Sequence, residues 1–365
     1  MIYLDNGATS FHKPPGVRAA VNRAMLSCAN PGRGGHAAAM EAARQVYCCR
    51  EMAAQLFSCQ PEQVVFTSNC THALNIAIAT LAGQGDSVVI SGFEHNAVTR
   101  PLHARKCQVS VAGRTLFDQA DTLSQWETAL KKHPKAAVAT HVSNAFGYIL
   151  PVAEMAALCR QYGVPFIIDA AQSAGMLPID FAELGADYIA MPGHKGLLGP
   201  QGTGILLCGR LPEPLLCGGT GSNSRDAQMP DFLPDRAEAG TVNVPGIAGL
   251  AAGMRYVNKV GVDAIFRREQ AQAKKCADGL RALGFPVFAG AHQSGTLSFL
   301  PGMDCEEAAQ RLAQQGIAVR AGLHCAPLAH ESAGTLETGT VRLSFGHDAC
   351  DSQSRALLHG VQKLR

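Results

Sequence analysis

A lysine set among small residues behind an apolar run is placed to meet an aldehyde, and Lys195 is such a residue. It lies in Met191-Pro192-Gly193-His194-Lys195-Gly196, directly after Asp187-Tyr188-Ile189-Ala190. About 26 residues earlier, Asp169 follows Pro165 to Ile168 and leads into Ala170-Ala171-Gln172. His95 follows Ser87 to Ser91 within Phe93-Glu94-His95-Asn96, Asn144 follows Ala136 to Ser143, and Thr67 to Thr71 opens a helical run. Alone, a lysine in a glycine-rich turn is an ordinary solvated cation. The chain has no G-x-x-x-x-G-K-[ST], and Gly199-Pro200-Gln201-Gly202-Thr203-Gly204 does not fit G-x-G-x-x-G. Together, however, these residues are the parts that pyridoxal phosphate needs. They supply a lysine for a Schiff base, a carboxylate to keep the pyridine nitrogen protonated so that the ring can accept electrons, and a helix N-terminus for the phosphate.

Such residues must be brought to one rim by the elements that carry them. Val64 to Ser68, Ser87 to Ser91, Ala136 to Ser143, Pro165 to Ala170 and Gly204 to Cys208 read as strands, with Thr71 to Leu81 and Pro151 to Tyr162 as helices between them. Strands alternating with helices predict βαβ units and a mostly parallel sheet covered on both faces, with ligands beyond the carboxyl ends of its strands. Gly35 to Phe57 reads as a long helix ahead of this series. After Asn243-Val244-Pro245-Gly246 the character changes to long helices and short strands: Gly295 to Leu300, Ile317 to Ala321 and Thr340 to Phe345, closed by a helix from Asp351 to Leu364. The expected architecture is α/β, with a large domain over residues 15–246. A small α+β domain takes 247–365 together with 1–14, whose Ile2-Tyr3-Leu4 packs onto it.

Composition narrows the function classes. The 365 residues are 47% apolar and 16% charged with a net charge of +2, and basic residues never run beyond a pair such as Lys131-Lys132. Nucleic-acid and membrane-surface partners are therefore not expected. No stretch approaches the roughly 18 apolar residues of a membrane span, and Met1 to Lys13 does not read as a signal peptide, so the chain is expected in the cytoplasm. The thirteen cysteines contain no C-x-x-C pair, and no metal site is expected. Cys48, Cys49, Cys159 and Cys208 sit in apolar surroundings and read as buried hydrophobes.

The sequence resembles the class V aminotransferase group of fold-type I pyridoxal phosphate enzymes and, within it, the cysteine desulfurases and selenocysteine lyases. The resemblance begins with Tyr3-Leu4-Asp5-Asn6-Gly7-Ala8-Thr9 and Asn30-Pro31-Gly32-Arg33-Gly34-Gly35-His36. It continues through Phe66-Thr67-Ser68-Asn69-Cys70-Thr71, Glu94-His95, Asp169 to Gln172 and Gly193-His194-Lys195, then Glu238-Ala239-Gly240-Thr241-Val242-Asn243 and Arg320 to Ala326. It implies a seven-stranded, mostly parallel sheet in the large domain. It also implies Lys195 as the Schiff-base lysine, Asp169 on the pyridine nitrogen, Gln172 on the phenolic oxygen and His95 stacked on the ring as a proton relay. Cys70, Thr71 and His194 would hold the phosphate, joined by Thr241 from the second subunit of a homodimer. Asn144, Arg342 and Arg320 would bind substrate, with Arg342 on its α-carboxylate. Pro192 and Cys70 depart from the family, which often has Ser and Thr at these positions.

Cys325 decides the reaction. It follows His324, with Arg320 five residues before it, and leads into a loop over Pro327 to Gly339. A loop thiol flanked by cations has an increased thiolate fraction, as a nucleophile requires. By resemblance the chain converts L-cysteine to L-alanine and takes the sulfur on Cys325 as a persulfide, passing it to an acceptor protein. Selenocysteine lyase is the alternative on L-selenocysteine. A class V aminotransferase or kynureninase-like lyase would leave Cys325 idle, and a non-enzymatic reading makes the chain a sulfur-relay or docking scaffold.

Overall fold

The structure, a computed structural model, describes residues 1–32 and 34–364. Arg33 of the N-terminal motif lies outside the described residues. The chain opens with β1 (Ile2–Tyr3), α1 (Pro15–Ser27) and α2 (Ala37–Phe57). Strands and helices then alternate: β2 (Val64–Thr67), α3 (Cys70–Leu81), β3 (Ser87–Ser91), α4 (Asn96–Ala104), β4 (Gln108–Ala112) and α5 (Gln119–Leu130). The series continues with β5 (Ala136–Thr140), α6 (Val152–Tyr162), β6 (Phe166–Asp169), α7 (Phe181–Leu184), β7 (Tyr188–Pro192) and β8 (Gly204–Cys208). After a long connection come α8 (Val244–Val260), α9 (Val262–Ala282), β9 (Val287–Phe288), β10 (Thr296–Phe299) and α10 (Cys305–Gln314). The chain closes with β11 (Ile317–Ala318), β12 (Arg320–Gly322), α11 (Pro327–Ser332), β13 (Thr340–Ser344) and α12 (Asp351–Gln362).

Seven strands form one sheet in the order β2-β8-β7-β6-β5-β3-β4, parallel except for β8, which runs against both its neighbours. Its strands alternate their side chains between two apolar layers, because successive residues of a strand point to opposite faces. Val89, Ala137, Phe166 and Ile189 join one layer, and Val88, Val138, Ile167 and Ala190 join the other. Both layers are buried, as the βαβ pattern requires. A smaller antiparallel sheet, β12-β13-β10-β9, carries a third core with α9, α10 and α12. The N-terminus packs onto this smaller body: Ile2 pairs with Ile317 and Tyr3 with Ala318, while Leu4 enters its core.

Several local readings shift for identifiable reasons. The run Ile317 to Ala321 is two strands, since β11 pairs with β1 while β12 pairs with β13. The helix expected from Gly35 starts at Ala37, because His36 caps it by accepting from the Ala39 amide at 3.4 Å. Residues after Thr140 leave the sheet, and Pro327 begins a short helix rather than a plain loop. Cys48 is exposed, whereas Cys49, Cys159 and Cys208 are buried. Ile247, Leu250, Ala251 and Met254 of α8, although past residue 246, pack into the core of the large sheet.

The connection before α8 is fastened by a buried ion pair. Arg50 of α2 donates to Glu238 through Nη1 and Nη2, each at 2.9 Å, and both side chains are 8% exposed. Glu238 Oε1 also accepts from the Phe66 amide at 2.6 Å, and the guanidinium lies 4.6 Å from the Phe66 ring centre.

Candidate active site

The carboxyl ends of the parallel strands converge on a cavity of about 230 Å³. Lys195, Asp169, Gln172 and His194 line it from the loops after β6 and β7, while Cys70, Thr71, His95 and Asn144 line it from α3, α4 and the segment after β5. Eight of the twelve residues singled out in the sequence thus meet on one cavity. The loops after β6 and β7 can approach closely because two glycines face each other. A Cβ on Gly175 would lie 2.3 Å from the Gly196 carbonyl oxygen, and one on Gly196 would lie 2.3 Å from the Ala174 carbonyl oxygen. That approach carries Lys195 toward Asp169.

Burial and charge set the protonation states. Burial pushes the Lys195 ammonium below its ordinary pKa, against the opposing pull of Asp169 and Cys70, which enlarges the fraction of nucleophilic free amine. Asp169 is raised by burial. Its Oδ1 accepts from the Ala171 amide at 2.8 Å and from the Cys70 thiol at 3.5 Å, while Oδ2 has no hydrogen-bond donor among the described residues. The Cys70 side chain is therefore committed to Asp169, and burial holds its thiol neutral. This leaves the backbone amides of Cys70 and Thr71, in the first turn of α3, as donors without an intrahelical acceptor. Asn69 caps that helix by accepting from the His72 amide at 2.9 Å.

His95 is pushed down to about 4 by burial, with Lys195, Arg342 and Arg100 adding to the effect, and is neutral at pH 7. Its Nδ1 accepts from the Ala97 amide at 3.0 Å, which assigns the proton to Nε2. His194 is likewise held to about 4, with Nδ1 3.0 Å from the Thr9 hydroxyl. Gln172 donates to the Gly7 carbonyl at 2.9 Å. Beneath His95, Glu94 is fully buried. Its Oε1 accepts from the Ser91 hydroxyl and from the Thr140 amide at 2.7 Å, and its Oε2 has no partner among the described residues. Burial raises Glu94 to about 8.

Arg342, on β13, and Cys325 lie outside that lining but are tied to it through Asn144. Arg342 Nη1 donates to the Asn144 carbonyl at 3.0 Å, and Asn144 Nδ2 donates to the His324 carbonyl at 2.6 Å. The Cys325 carbonyl in turn accepts from the Asn96 amide, next to His95, at 2.7 Å. Ala326 and Ala329 anchor the far side of the loop in the large core. Between these anchors His324 and Cys325 both take left-handed backbone, with φ of 51° and 56°. Two successive side-chain-bearing residues there cost energy that the anchors must hold, and the Cys325 thiol is left exposed.

The flank of Cys325 is less cationic than its sequence suggests. His324 is 8% exposed and burial drives it down to about 2, so it carries no charge. Arg320 remains charged and pairs with Asp5 at 2.9 Å. Thr241 lines a different cavity of about 400 Å³ beside Ser68 and His72. Sequence reasoning did not single out Asp5, Asn96 or Glu94 as functional residues. All three lie within quoted stretches, Asp5 in Tyr3 to Thr9 and Glu94 and Asn96 in Phe93 to Asn96, but their contacts come from segments far along the chain.

The sequence pattern of the family described as Aminotransferase class-V matches residues 2–357. A chain from Methanothermobacter thermautotrophicus named probable cysteine desulfurase is 34% identical over 363 residues, covering 94% of this chain and 90% of the relative. One from Pyrococcus abyssi with the same name is 32% identical, covering 94% and 89%. The apo structure of a cysteine desulfurase from Thermococcus onnurineus NA1 superimposes with a TM-score of 0.91 at 31% identity, covering all of this chain and 94% of the other. The chain belongs to the aminotransferase class-V family.

Proposed function

We propose that the protein is a pyridoxal phosphate-dependent cysteine desulfurase that converts L-cysteine to L-alanine and receives the sulfur on Cys325. The observation that carries this reading is the pinning of the exposed Cys325 loop to Asn144 and Asn96, at the cavity that holds Lys195 and Asp169. The donor set suits the cofactor: a lysine of lowered pKa, a buried carboxylate whose Oδ2 meets no donor among the described residues, and a helix N-terminus with free amides. Lys195, Asp169, Gln172, His95, Thr71 and His194 would hold it, with Thr241 supplied by a second copy. Bound there, it supplies an electron sink for the substrate α-carbon.

The chain's own groups do the rest. Lys195 Nζ, biased toward the free amine, takes and returns the α-proton, and His95 Nε2–H can pass a proton within the cavity. Arg342 offers the substrate carboxylate a planar fork of donors, which suits a carboxylate. The Cys325 thiolate attacks the substrate sulfur. A sulfur–sulfur bond forms, the substrate's carbon–sulfur bond breaks with its electron pair left on the organic fragment, and that carbon takes up a proton to give L-alanine. No external oxidant or reductant enters.

A homodimer would cover Met25, Leu26, Met40 and Tyr47, which stand exposed on α1 and α2. All thirteen cysteines are free thiols, which suits a cytoplasmic site, and an acceptor protein would draw sulfur from Cys325. The test incubates wild type and Cys325→Ala separately with L-cysteine and L-selenocysteine and quantifies alanine, sulfide and selenide. Loss of alanine and sulfide from L-cysteine in the variant is expected. Alanine from L-selenocysteine alone, indifferent to the substitution, would make the protein a selenocysteine lyase.

A further inference from the structure

Arg320 and Arg342 face each other directly across the β12–β13 pair, a placement that sets two like charges side by side. One carboxylate serves both. Asp5 Oδ1 accepts from Arg342 Nη2 at 2.6 Å, while Arg320 Nε and Nη2 reach Asp5 Oδ2 at 3.0 and 2.9 Å. Asp5 is itself held by the backbone. Its residue bridges to Ser344, two positions beyond Arg342 on β13, and the next amide, of Asn6, donates to the Ser344 carbonyl at 3.2 Å.

The three side chains differ in exposure. Arg342 is 2% exposed, so it cannot be left without a counter-charge, whereas the Arg320 side chain is 49% exposed. Arg342 has Nη1 on Asn144 and Nη2 on Asp5, which fixes the plane of the guanidinium, and its Nε has no partner among the described residues. Two cations around one carboxylate carry a net single positive charge, the amount that one incoming substrate carboxylate neutralises.

We infer that Asp5 is a positioning residue that aims Arg342 at the substrate carboxylate, and that Arg320 acts on substrate only by holding Asp5. This rests on the desulfurase reading for the substrate and goes beyond it by giving Asp5 a role and moving Arg320 away from direct contact.

The holoenzyme as wild type, Asp5→Asn, Asp5→Glu, Arg320→Gln and the Asp5→Asn/Arg320→Gln pair would be compared in two assays. One is steady-state alanine formation from L-cysteine, and the other is calorimetric binding of L-alanine, which needs no turnover. Asp5→Asn is expected to raise KM about tenfold with kcat falling less than about threefold, and to weaken L-alanine by the same factor as KM. Asp5→Glu, which keeps the charge, should recover most of that loss. Arg320→Gln should raise KM in wild type yet add nothing in the Asp5→Asn background, the non-additivity of two groups acting through one contact.

Additive effects would place Arg320 on the substrate and overturn the assignment. So would a lowered KM in Asp5→Asn, which would make Asp5 a competitor of substrate. If Asp5→Asn did not fold, Arg320→Gln with its half-exposed side chain would still give the KM-against-kcat split. A wild type that forms no alanine from L-cysteine sinks the desulfurase reading alone, because L-alanine binding still reports on Asp5. No L-alanine binding by wild type would sink the positioning role.

Discussion

Glu94 makes an unusual demand on the fold. Its carboxyl is fully buried, with one oxygen twice hydrogen-bonded and the other without a partner among the described residues, and burial raises its pKa from the ordinary 4.5 to about 8. A group whose folded pKa is raised contributes fully below its unfolded pKa, and that contribution is lost as pH rises through the folded value. The window is therefore about pH 4.5 to 8. Each unit within it is worth about 1.4 kcal/mol, so between pH 5 and 8 the loss reaches up to about 4 kcal/mol. Glu94→Gln keeps an oxygen for the Ser91 hydroxyl and the Thr140 amide but cannot ionise. Urea unfolding of both proteins at pH 5, 6, 7 and 8, in the same cofactor state, isolates this residue, because other titrations common to both cancel in the difference. The variant is expected to match wild type at pH 5 and to gain on it steadily, exceeding it by as much as about 4 kcal/mol at pH 8. Parallel pH profiles, or a variant that loses ground as pH rises, would refute the assignment of a neutral Glu94 beneath His95.

Other substitutions probe separate parts of the molecule. Lys195→Ala is expected to abolish the visible absorbance of purified protein supplied with pyridoxal phosphate, while Asp169→Asn retains binding but loses most of kcat; a spectrum unchanged by Lys195→Ala would remove the cofactor reading. Arg50→Met strands the Glu238 carboxylate in a buried position and should cost about 3–5 kcal/mol by chemical denaturation, with much of the loss recovered in Arg50→Met/Glu238→Leu. Gly196→Ala would drive a Cβ to within 2.3 Å of the Ala174 carbonyl oxygen, so a drop in the melting temperature with impaired cofactor retention is expected; unaltered retention would show that the two loops need not touch.

Much of this architecture could be read along the chain because its information is local. Asp169, Lys195 and His95 each follow an apolar run, and a parallel sheet brings the ends of such runs to one rim. The edge strand β4 and the helix α1 lie outside that reading: β4 is a short run at the sheet edge with mostly solvent-facing residues, and α1 buries only Val17 and Ala24. His324 shows the limit most clearly. Beside Cys325 in sequence it reads as a cation, yet burial keeps it neutral, with Arg342 adding to the effect and Thr340 of the same strand bonded to its ring. The Asp5 contact was equally hidden, since no spacing rule connects residue 5 to residue 342.

That separation governs how the molecule comes into being on the ribosome. Asp5 leaves the ribosome ahead of its partner Arg342, which follows 337 positions later. At ordinary elongation rates the wait is roughly 17 to 70 s. Throughout it the seven-stranded sheet can assemble, while the opening segment has neither β11 nor β13 to receive it. Catalytic competence therefore waits on one late event, the meeting of the segment that carries Asp5 with the much later segment that carries Arg342.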